Sequence, residues 1–215
     1  MCIRDSLQMQ INPHFLYNTL DTIVWLAEAG QKEQVVSMVQ TLSDFFRASL
    51  NSGKDIVSLE GECRHITSYL QIQQVRYQDI LTYDVDIPEE IANCKIPKIT
   101  LQPLVENALY HGIKNKRGKG RIVVTGRREK DKCVIRVEDN GIGMTKERLN
   151  QVRGGLTTKI EDSNDFYGLY NVNERIRLKF GEEYGLSIDS VLQEGTCVAV
   201  SYTHLRAHET PEHLV

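Results

Sequence analysis

The stretch Leu104-Val-Glu-Asn-Ala-Leu-Tyr-His-Gly112 is the first of three sequence blocks that decide the fold of the second part of this chain. Asp139-Asn-Gly-Ile-Gly143 is the second block, and Gly168-Leu-Tyr-Asn-Val172 is the third, after an interval of 24 residues (144–167). Each block alone is a weak signal, since a segment such as DNGIG also suits an ordinary tight turn. The three blocks in this order indicate a nucleotide site.

The side chains in these blocks match the chemical groups of Mg·ATP. The Asp139 carboxylate can accept a hydrogen bond from the exocyclic amine of adenine, and Gly141 and Gly143 let the backbone approach a flat base. Asn107 offers a neutral oxygen to Mg²⁺, which prefers oxygen ligands. We expect Gly168 to begin a helix whose N-terminal amides receive phosphate oxygens, and residues 144–167 to form a long polar loop that closes over the nucleotide.

The segments around the blocks predict an α+β domain, a sheet with helices on one face. Alternation predicts a strand over Leu81–Ile87, which Pro88 ends, and two β-hairpins. Helical patterns lie between the strands, whereas residues 151–167 lack a strong period. The predicted hairpins pair Arg121–Gly126 with Cys133–Glu138 and Leu186–Val191 with Thr196–Val200, and the predicted helices run from about Ile99 to Ile113, from near Thr145, and over Leu169–Phe180.

The first part of the chain predicts helices, each with one apolar stripe at steps of three and four. Gly30 and residues 51–53 break the pattern, and Ser58 is a predicted N-cap for the last helix. A helical hairpin of this kind has too little core to stand alone, so a four-helix dimer is the favoured solution; packing of the stripes on the second domain is the alternative. The stripes are Leu16, Leu20, Ile23 and Ala27; Val35, Val39, Leu42 and Phe46; and Leu59, Cys63, Ile66 and Leu70.

The three blocks resemble the N, G1 and G2 boxes of the GHKL ATPase superfamily, and Glu194-Gly195-Thr196 is similar to its last glycine box. The resemblance implies an ATP-binding α/β sandwich over residues 80–200, with ATP and Mg²⁺ as cofactors. Family members often carry Lys where this chain has Tyr110, so His111 or Lys114 is expected to supply that phosphate contact. The implied nucleotide-binding residues are Asn107 (also the metal ligand), His111, Asp139, Gly141, Gly143, Gly168, Leu169, Asn171 and Thr196.

The run Gln10-Ile-Asn-Pro-His-Phe-Leu-Tyr-Asn-Thr-Leu20 resembles the phospho-acceptor box of LytS-type sensor histidine kinases. The resemblance implies that His14 accepts a phosphoryl group from ATP and passes it to an aspartate on a response regulator receiver domain. It also implies that residues 7–78 form a dimerisation and phosphotransfer region. Asn12 can cap a helix that has Pro13 at its first position. The positive end of the helix dipole would then disfavour an imidazolium at His14.

The general base of the transfer is not assigned by the sequence. Phe15 follows His14 where many histidine kinases place an acid, and Asn18, one turn further on, could only orient the ring. Glu106 directly precedes the predicted metal ligand, and hydrolysing members of the superfamily use a glutamate near this place to activate water. A plain GHKL-type ATPase, or an ATP-binding dimeric module without histidine kinase activity, therefore remains the alternative.

Composition limits the other function classes. The net charge of −3 and the absence of aromatic residues between the basic runs argue against nucleic acid as a partner. Five scattered cysteines without a CxxC pair are expected to be reduced thiols. We expect the aperiodic ends, residues 1–6 and 201–215, to be non-native and to add nothing to the fold, and we expect no metal site at the tail histidines, His204, His208 and His213. The family resemblance implies a membrane-embedded parent protein of which this is the cytoplasmic part.

Overall fold

The structure, a computed structural model, describes residues 13–50, 55–78, 80–156 and 167–203. Helix α1 (Pro13–Glu28) and helix α2 (Lys32–Leu50) form the predicted hairpin. Gly30 turns the chain between them with a φ of 71°, a conformation that a residue without a Cβ adopts readily. Asn12 and the predicted break at residues 51–53 lie outside the described residues.

The buried stripe of α1 differs from the predicted one. Phe15, Thr19 and Leu26 are buried, whereas Leu20 is 45% exposed and Ala27 is exposed. The helix carries apolar residues on two faces, and aromatic packing selects between them, since the Phe15 ring lies 5.0 Å from Phe45 of α2. In α2 likewise, Met38, Leu42 and Phe45 are buried and Val39 is exposed.

Helix α3 (Leu59–Arg76) belongs to the hairpin and to the sheet domain at once. The Ser58 side chain accepts a hydrogen bond from the Gly61 N–H, which confirms the predicted N-cap, and all four residues of the predicted stripe are buried. The preceding strand β1 (Ile56–Ser58) pairs antiparallel with β3 (Lys95–Pro97). Helix α3 packs on α2 as well as on the sheet domain.

Five strands form the main sheet in the order β2-β4-β5-β7-β6, and they confirm the α+β expectation. Strand β2 runs parallel to β4, and the other neighbours are antiparallel. Buried residues such as Ile122, Val124 and Val198 alternate along the strands, so helices cover one face of the sheet. The strands are β2 (Leu81–Asp86), β4 (Gly120–Glu129), β5 (Lys132–Asp139), β6 (Gly185–Val191) and β7 (Gly195–Thr203).

The remaining helices differ from the predicted ones mainly at their ends. The long helix predicted to Ile113 is an α-helix, α5, only as far as Asn107, and a π-helical segment continues it. The helix predicted to begin near Thr145 is α6, which Thr145 caps, and it lies within the interval that is also expected to form a long loop. The helices are α4 (Glu89–Ala92), α5 (Leu101–Asn107) with the π-helical segment Ala108–Ile113, α6 (Lys146–Gly155) and α7 (Tyr167–Phe180).

The last strand corrects the expectation for the tail. Strand β7 continues to Thr203, and Tyr202 is fully buried with its ring 5.2 Å from the Phe180 ring. The prediction that residues 201–215 add no strand and bury no face is therefore wrong for 201–203. Residues 204–215, with the three tail histidines, and residues 1–6 lie outside the described part of the chain.

Among the described residues, Cys63, Cys94, Cys133 and Cys197 are not joined in disulfides, and the first three are buried. Within the described ranges, no helix has both the length and the apolar character that a membrane crossing requires.

Candidate functional site

The three sequence blocks meet at one cavity of about 310 Å³ beside the end of the sheet. Residues from α5, the π-helical segment, the turn after β5, the start of α7 and strand β7 line it, so the fold collects positions that are far apart in sequence. Its walls include the predicted site residues Asn107, His111, Gly143, Leu169 and Thr196. We call this space the Asn107 cavity.

Asp139 lies next to the Asn107 cavity in a tight setting of glycines. It is the last residue of β5 and only 9% exposed, and its Oδ1 atom accepts a hydrogen bond of 2.8 Å from the Gly141 N–H. A Cβ at Gly112 or at Gly141 would overlap the Asp139 carboxylate, and one at Gly195 would overlap the Asp139 carbonyl oxygen. Only glycine therefore fits at these three positions.

Burial sets the electrostatic state of Asp139. It raises the pKa of the carboxyl from 3.8 to about 6, although the backbone N–H groups of Gly141 and Thr196 and the nearby Lys116 ammonium act in the opposite direction. Lys116 is held in place because its ammonium donates to the Asn140 carbonyl oxygen. The carboxylate is thus incompletely solvated, and a further hydrogen-bond donor beside it would be favourable.

The turn between β6 and β7 closes the cavity on the other side. Gly143 has a φ of 59°, and a Cβ there would overlap the Val191 carbonyl oxygen. The Gln193 N–H donates to the Ile142 carbonyl oxygen over 2.7 Å. Thr196 is buried, and its hydroxyl lies 3.0 Å from the Ser190 hydroxyl. The second block is therefore fixed by the last hairpin as well as by the first block.

The change from α-helix to π-helix occurs at Asn107. This residue is the last of α5 and is half-buried, and it lines the cavity together with His111 of the π-helical segment. Such π-helical turns are frequent at functional sites, because the wider turn redirects side chains. Among the described residues, no cluster of three or more His, Cys, Asp or Glu side chains could hold a metal ion. A cation here would depend on an oxygen such as that of Asn107.

Other predicted site residues do not line this cavity. Glu106 accepts a hydrogen bond of 2.8 Å from Gln102, and burial raises the pKa of its carboxyl. Gly168 lies exposed at the start of α7, and a Cβ there would meet only Pro103, at 3.6 Å. Asn171, one turn into α7, is half-buried.

Tyr110, at which the family resemblance led us to expect a lysine, also faces away from the cavity. The Tyr110 hydroxyl accepts a hydrogen bond of 3.2 Å from Gln73 of α3. His111 is the neighbouring residue that the fold directs into the cavity.

His14 lies on another part of the molecule, in the first turn of α1, and is exposed. It does not line the Asn107 cavity. Asn18, one turn further on, is half-buried, and its amide nitrogen has no hydrogen-bond partner among the described residues. Phe15 is buried in the hairpin core, so α1 presents His14 outward while the next side chain anchors the helix.

The sequence did not reveal several polar residues that hold the cavity walls. The buried Asn173 donates to the Leu156 carbonyl oxygen and accepts from the Leu186 N–H, each over 2.8 Å, and thereby ties α6 and α7 to β6. Glu62 and Arg175 join α3, α5 and α7. Each of these polar side chains interrupts an apolar helix face. That interruption is the feature of the sequence that could have identified them.

Comparisons with known proteins cover both parts of the chain. A family described as histidine kinase matches residues 4–81, and the family of histidine kinase-, DNA gyrase B-, and HSP90-like ATPases matches residues 97–206. The chain is 41% identical over 197 residues to the sensor histidine kinase YesM of Bacillus subtilis, covering 91% of this chain and 32% of YesM. It is 35% identical over 205 residues to the sensor protein LytS of Staphylococcus saprophyticus, covering 95% of this chain and 34% of LytS. The chain thus spans about a third of the length of these curated relatives.

Solved structures share the fold at low sequence identity. The catalytic domain of histidine kinase ThkA has a TM-score of 0.53 and 13% identity, over 69% of this chain and 95% of that one. The histidine kinase domain of the blue-light activated histidine kinase EL346 from Erythrobacter litoralis has a TM-score of 0.52 and 15% identity, over 92% of this chain and 91% of that one.

Proposed function

This chain belongs to the LytS-type sensor histidine kinases, and on that premise we propose that it binds Mg·ATP in the Asn107 cavity and transfers the γ-phosphoryl group to His14. The observation that carries the proposal is the convergence of all three sequence blocks on Asp139 and the adjacent cavity. A volume of about 310 Å³ lies within the range of ligand pockets.

Asp139 is proposed to select adenine. Its carboxylate has one oxygen engaged by the Gly141 N–H, and it lies where close glycine packing leaves the backbone near the ligand. An exocyclic amine that donates to this carboxylate would supply the donor that the buried charge lacks. A charge-assisted bond of this kind is about twice as strong as a neutral one.

The phosphates are proposed to lie between Asn107 and the start of α7. Asn107 would hold Mg²⁺ through its amide oxygen, and phosphates and waters would complete the coordination. Mg²⁺, when bound, would neutralise charge on the phosphate oxygens. His111 would add a donor, and the backbone N–H groups of Gly168, Leu169 and Asn171 would donate to phosphate oxygens at the N-terminus of the 14-residue helix α7.

His14 is proposed to be the nucleophile. An unprotonated imidazole nitrogen forms the N–P bond while the bond between the γ-phosphorus and the bridging oxygen breaks, and ADP leaves. The first turn of a helix would favour the phosphorylated product, because helix N-termini bind phosphate. Asn18 would orient the ring, and no residue is assigned as a base.

Transfer requires the two parts of the site to approach within about 3–3.5 Å. Since His14 does not line the cavity, the sheet domain must reach the hairpin of its own chain or of a partner chain. A homodimer is supported by an exposed apolar face on the hairpin. Its members on α1 and α2 are Tyr17, Leu20, Val24, Trp25, Val36 and Val39.

The premise of a two-component sensor implies the remaining partners. The phosphoryl group would pass from His14 to an aspartate on a response regulator receiver domain. The parent protein would be membrane-embedded, with this region in the cytoplasm.

Incubation with γ-labelled ATP tests the proposal. We expect protein-bound label that acid removes and base does not, as for a phosphoramidate, and no label on a His14→Gln variant. A mixture of His14→Gln and Asn107→Ala chains, first shown to exchange subunits, should carry label only on the Asn107→Ala chain if transfer occurs between chains. Released phosphate without any labelled protein would favour the plain ATPase and overturn the proposal.

A further inference from the structure

A buried carboxylate on α3 holds the start of the helix that carries Asn107. Glu62 is 3% exposed. It accepts hydrogen bonds from the backbone N–H groups of Ile99 (2.7 Å), Thr100 (2.8 Å) and Leu101 (3.0 Å). The first N–H groups of a helix have no partner within the helix, so this side chain satisfies donors that burial would otherwise leave without an acceptor.

A guanidinium on α7 holds the same segment from the other side. Arg175 donates to the Lys98 carbonyl oxygen over 2.9 Å and to the Ile99 carbonyl oxygen over 2.7 Å. Ile99 has a φ of 56°, which is rare for a β-branched residue. Its N–H group is taken by Glu62 and its carbonyl by Arg175, and these two bonds hold the strained backbone in place.

The two side chains also compensate each other electrically. Burial raises the pKa of Glu62, and the three backbone N–H groups and the Arg175 charge oppose that rise. Removal of either partner would leave a buried charge without its counter-charge.

We call the contact of Glu62 and Arg175 with residues 98–101 the junction. It lies six helical residues from each of two walls of the Asn107 cavity. Leu101 is six residues before Asn107 along the continuous helix α5, and Arg175 is six residues after Leu169 along α7. Six helical residues rise about 9 Å, so each helix acts as a short rigid arm from the junction to the cavity. Asp139 lies on β5, and Gly112, which packs on it, belongs to the π-helical segment beyond the end of the α5 arm.

We propose that Glu62 is a positioning residue that, together with Arg175, sets the spacing between Asn107 and the N-terminus of α7. The inference rests on the proposed function, since these are the two elements assigned to the metal and the phosphates. Glu62 itself is not proposed to touch the nucleotide. It acts on the phosphate side of the cavity and leaves the adenine side, built on Asp139, unchanged.

Glu62→Gln tests the junction, with Glu60→Gln as the matched control. Both residues lie in the first turn of α3, but Glu60 is exposed. A carboxamide offers only one acceptor oxygen, so at least one of the three backbone N–H groups loses its partner. Calorimetry at a temperature where both variants are folded should give an affinity for Mg·ATP about tenfold weaker for Glu62→Gln, as expected when the competent spacing is populated about a tenth of the time. Glu60→Gln should match the wild type.

Adenosine separates positioning from general damage. If Glu62 acts through the phosphate side, Glu62→Gln should bind adenosine as the wild type does. Equal losses for adenosine and Mg·ATP, or an unchanged affinity for Mg·ATP, would overturn the inference. Failure of the wild type to bind either ligand would instead overturn the proposed function.

Arg175→Lys provides a second test from the other arm. Lysine keeps the charge but cannot reach both carbonyl oxygens with one planar group. We expect a weaker affinity for Mg·ATP, although the loss should be smaller than for Glu62→Gln. The affinity for adenosine should be unchanged. This variant decides the inference if Glu62→Gln does not fold, and an unchanged affinity for Mg·ATP in a folded Arg175→Lys protein would overturn it.

Discussion

Asp139, at the end of the sheet, is largely closed off from solvent, whereas His14, on the hairpin, is exposed. Asp139 is 9% exposed and touches glycines that leave no room for a side chain. His14 is exposed, and its helix shows Tyr17 and Trp25 to solvent at 67% and 56%. Asp139 is enclosed by its own chain, whereas the hairpin presents an exposed apolar face, which we propose a second chain covers. Substitutions in the first should affect folding and binding within one chain, and those in the second should affect association.

The largest effect is expected where the sheet domain is completed by its last strand. A chain cut after Val200 loses Tyr202, which is fully buried beside Phe180, and the pairing of residues 201–203 with β5. Loss of a buried aromatic ring costs about 3–5 kcal/mol, so this chain should unfold at much lower urea concentration.

A chain cut after Thr203 is the control for that truncation. It keeps Tyr202 and the whole of β7, and it should unfold with the same midpoint as the full chain. Equal midpoints for the two truncated chains would mean that the sheet domain is stable without its last residues.

The blocks of sequence predicted some of the residues that line the cavity, namely Asn107, His111, Gly143, Leu169 and Thr196, because glycines and a carboxylate at fixed intervals constrain the backbone locally. They could not predict the register of α1, since Leu20 and Phe15 lie on different apolar faces of one helix and only contact with Phe45 distinguishes them. Glu62 was also missed as a cavity support, because its partners lie 37 to 39 residues away.

Gly141→Ala, among the glycines packed around Asp139, should have the next largest effect on stability. The new Cβ would overlap the Gly112 backbone and the Asp139 carboxylate, and rigid backbone cannot move aside cheaply. We expect a loss of about 3 kcal/mol in stability and at least about a thirtyfold loss in ATP affinity. Thermal unfolding and calorimetry measure the two effects.

Gly154→Ala is the matched glycine substitution. Gly154 lies in α6, and a Cβ there would meet no atom within 4 Å. Alanine in a helix should leave ATP binding unchanged and raise stability by about 0.4–1 kcal/mol. If both alanine variants behave alike, the close packing around Asp139 has no role in the site.

Leu20→Lys tests the exposed apolar face of the hairpin. Leu20 is 45% exposed on α1, so lysine should barely change the unfolding of a single chain, whereas a dimer would bury the charge. We expect about 2 kcal/mol weaker association, or roughly a thirtyfold higher dimer Kd by sedimentation equilibrium. Leu178→Lys, at an 84% exposed position on α7, should leave the Kd unchanged. A dimer that tolerates Leu20→Lys would place the interface elsewhere.

The smallest effect concerns the ionisation of Asp139 in the nucleotide-free protein. Its pKa is raised from 3.8 to about 6 by burial, so the folded state binds the proton more tightly than the unfolded state does. The stability that protonation contributes is complete below about pH 4 and is lost as the pH rises through about 6. Between about pH 5 and pH 7.5, this one group lowers the free energy of unfolding by about 1.4 kcal/mol.

Asp139→Asn removes that titration and keeps an oxygen for the Gly141 N–H. The two proteins share every other titratable group, so the difference between the two urea-unfolding curves isolates Asp139. We expect the variant to gain about 1.4 kcal/mol relative to the wild type over this pH interval, while it loses ATP affinity at pH 7.5 because the amide cannot replace the charge-assisted bond. If the two pH profiles are parallel, ionisation of Asp139 does not lower the free energy of unfolding, and there is no unfavourable charge for adenine to compensate. Opposite effects on stability and binding would mean that the closed site keeps an unfavourable charge because the nucleotide compensates it.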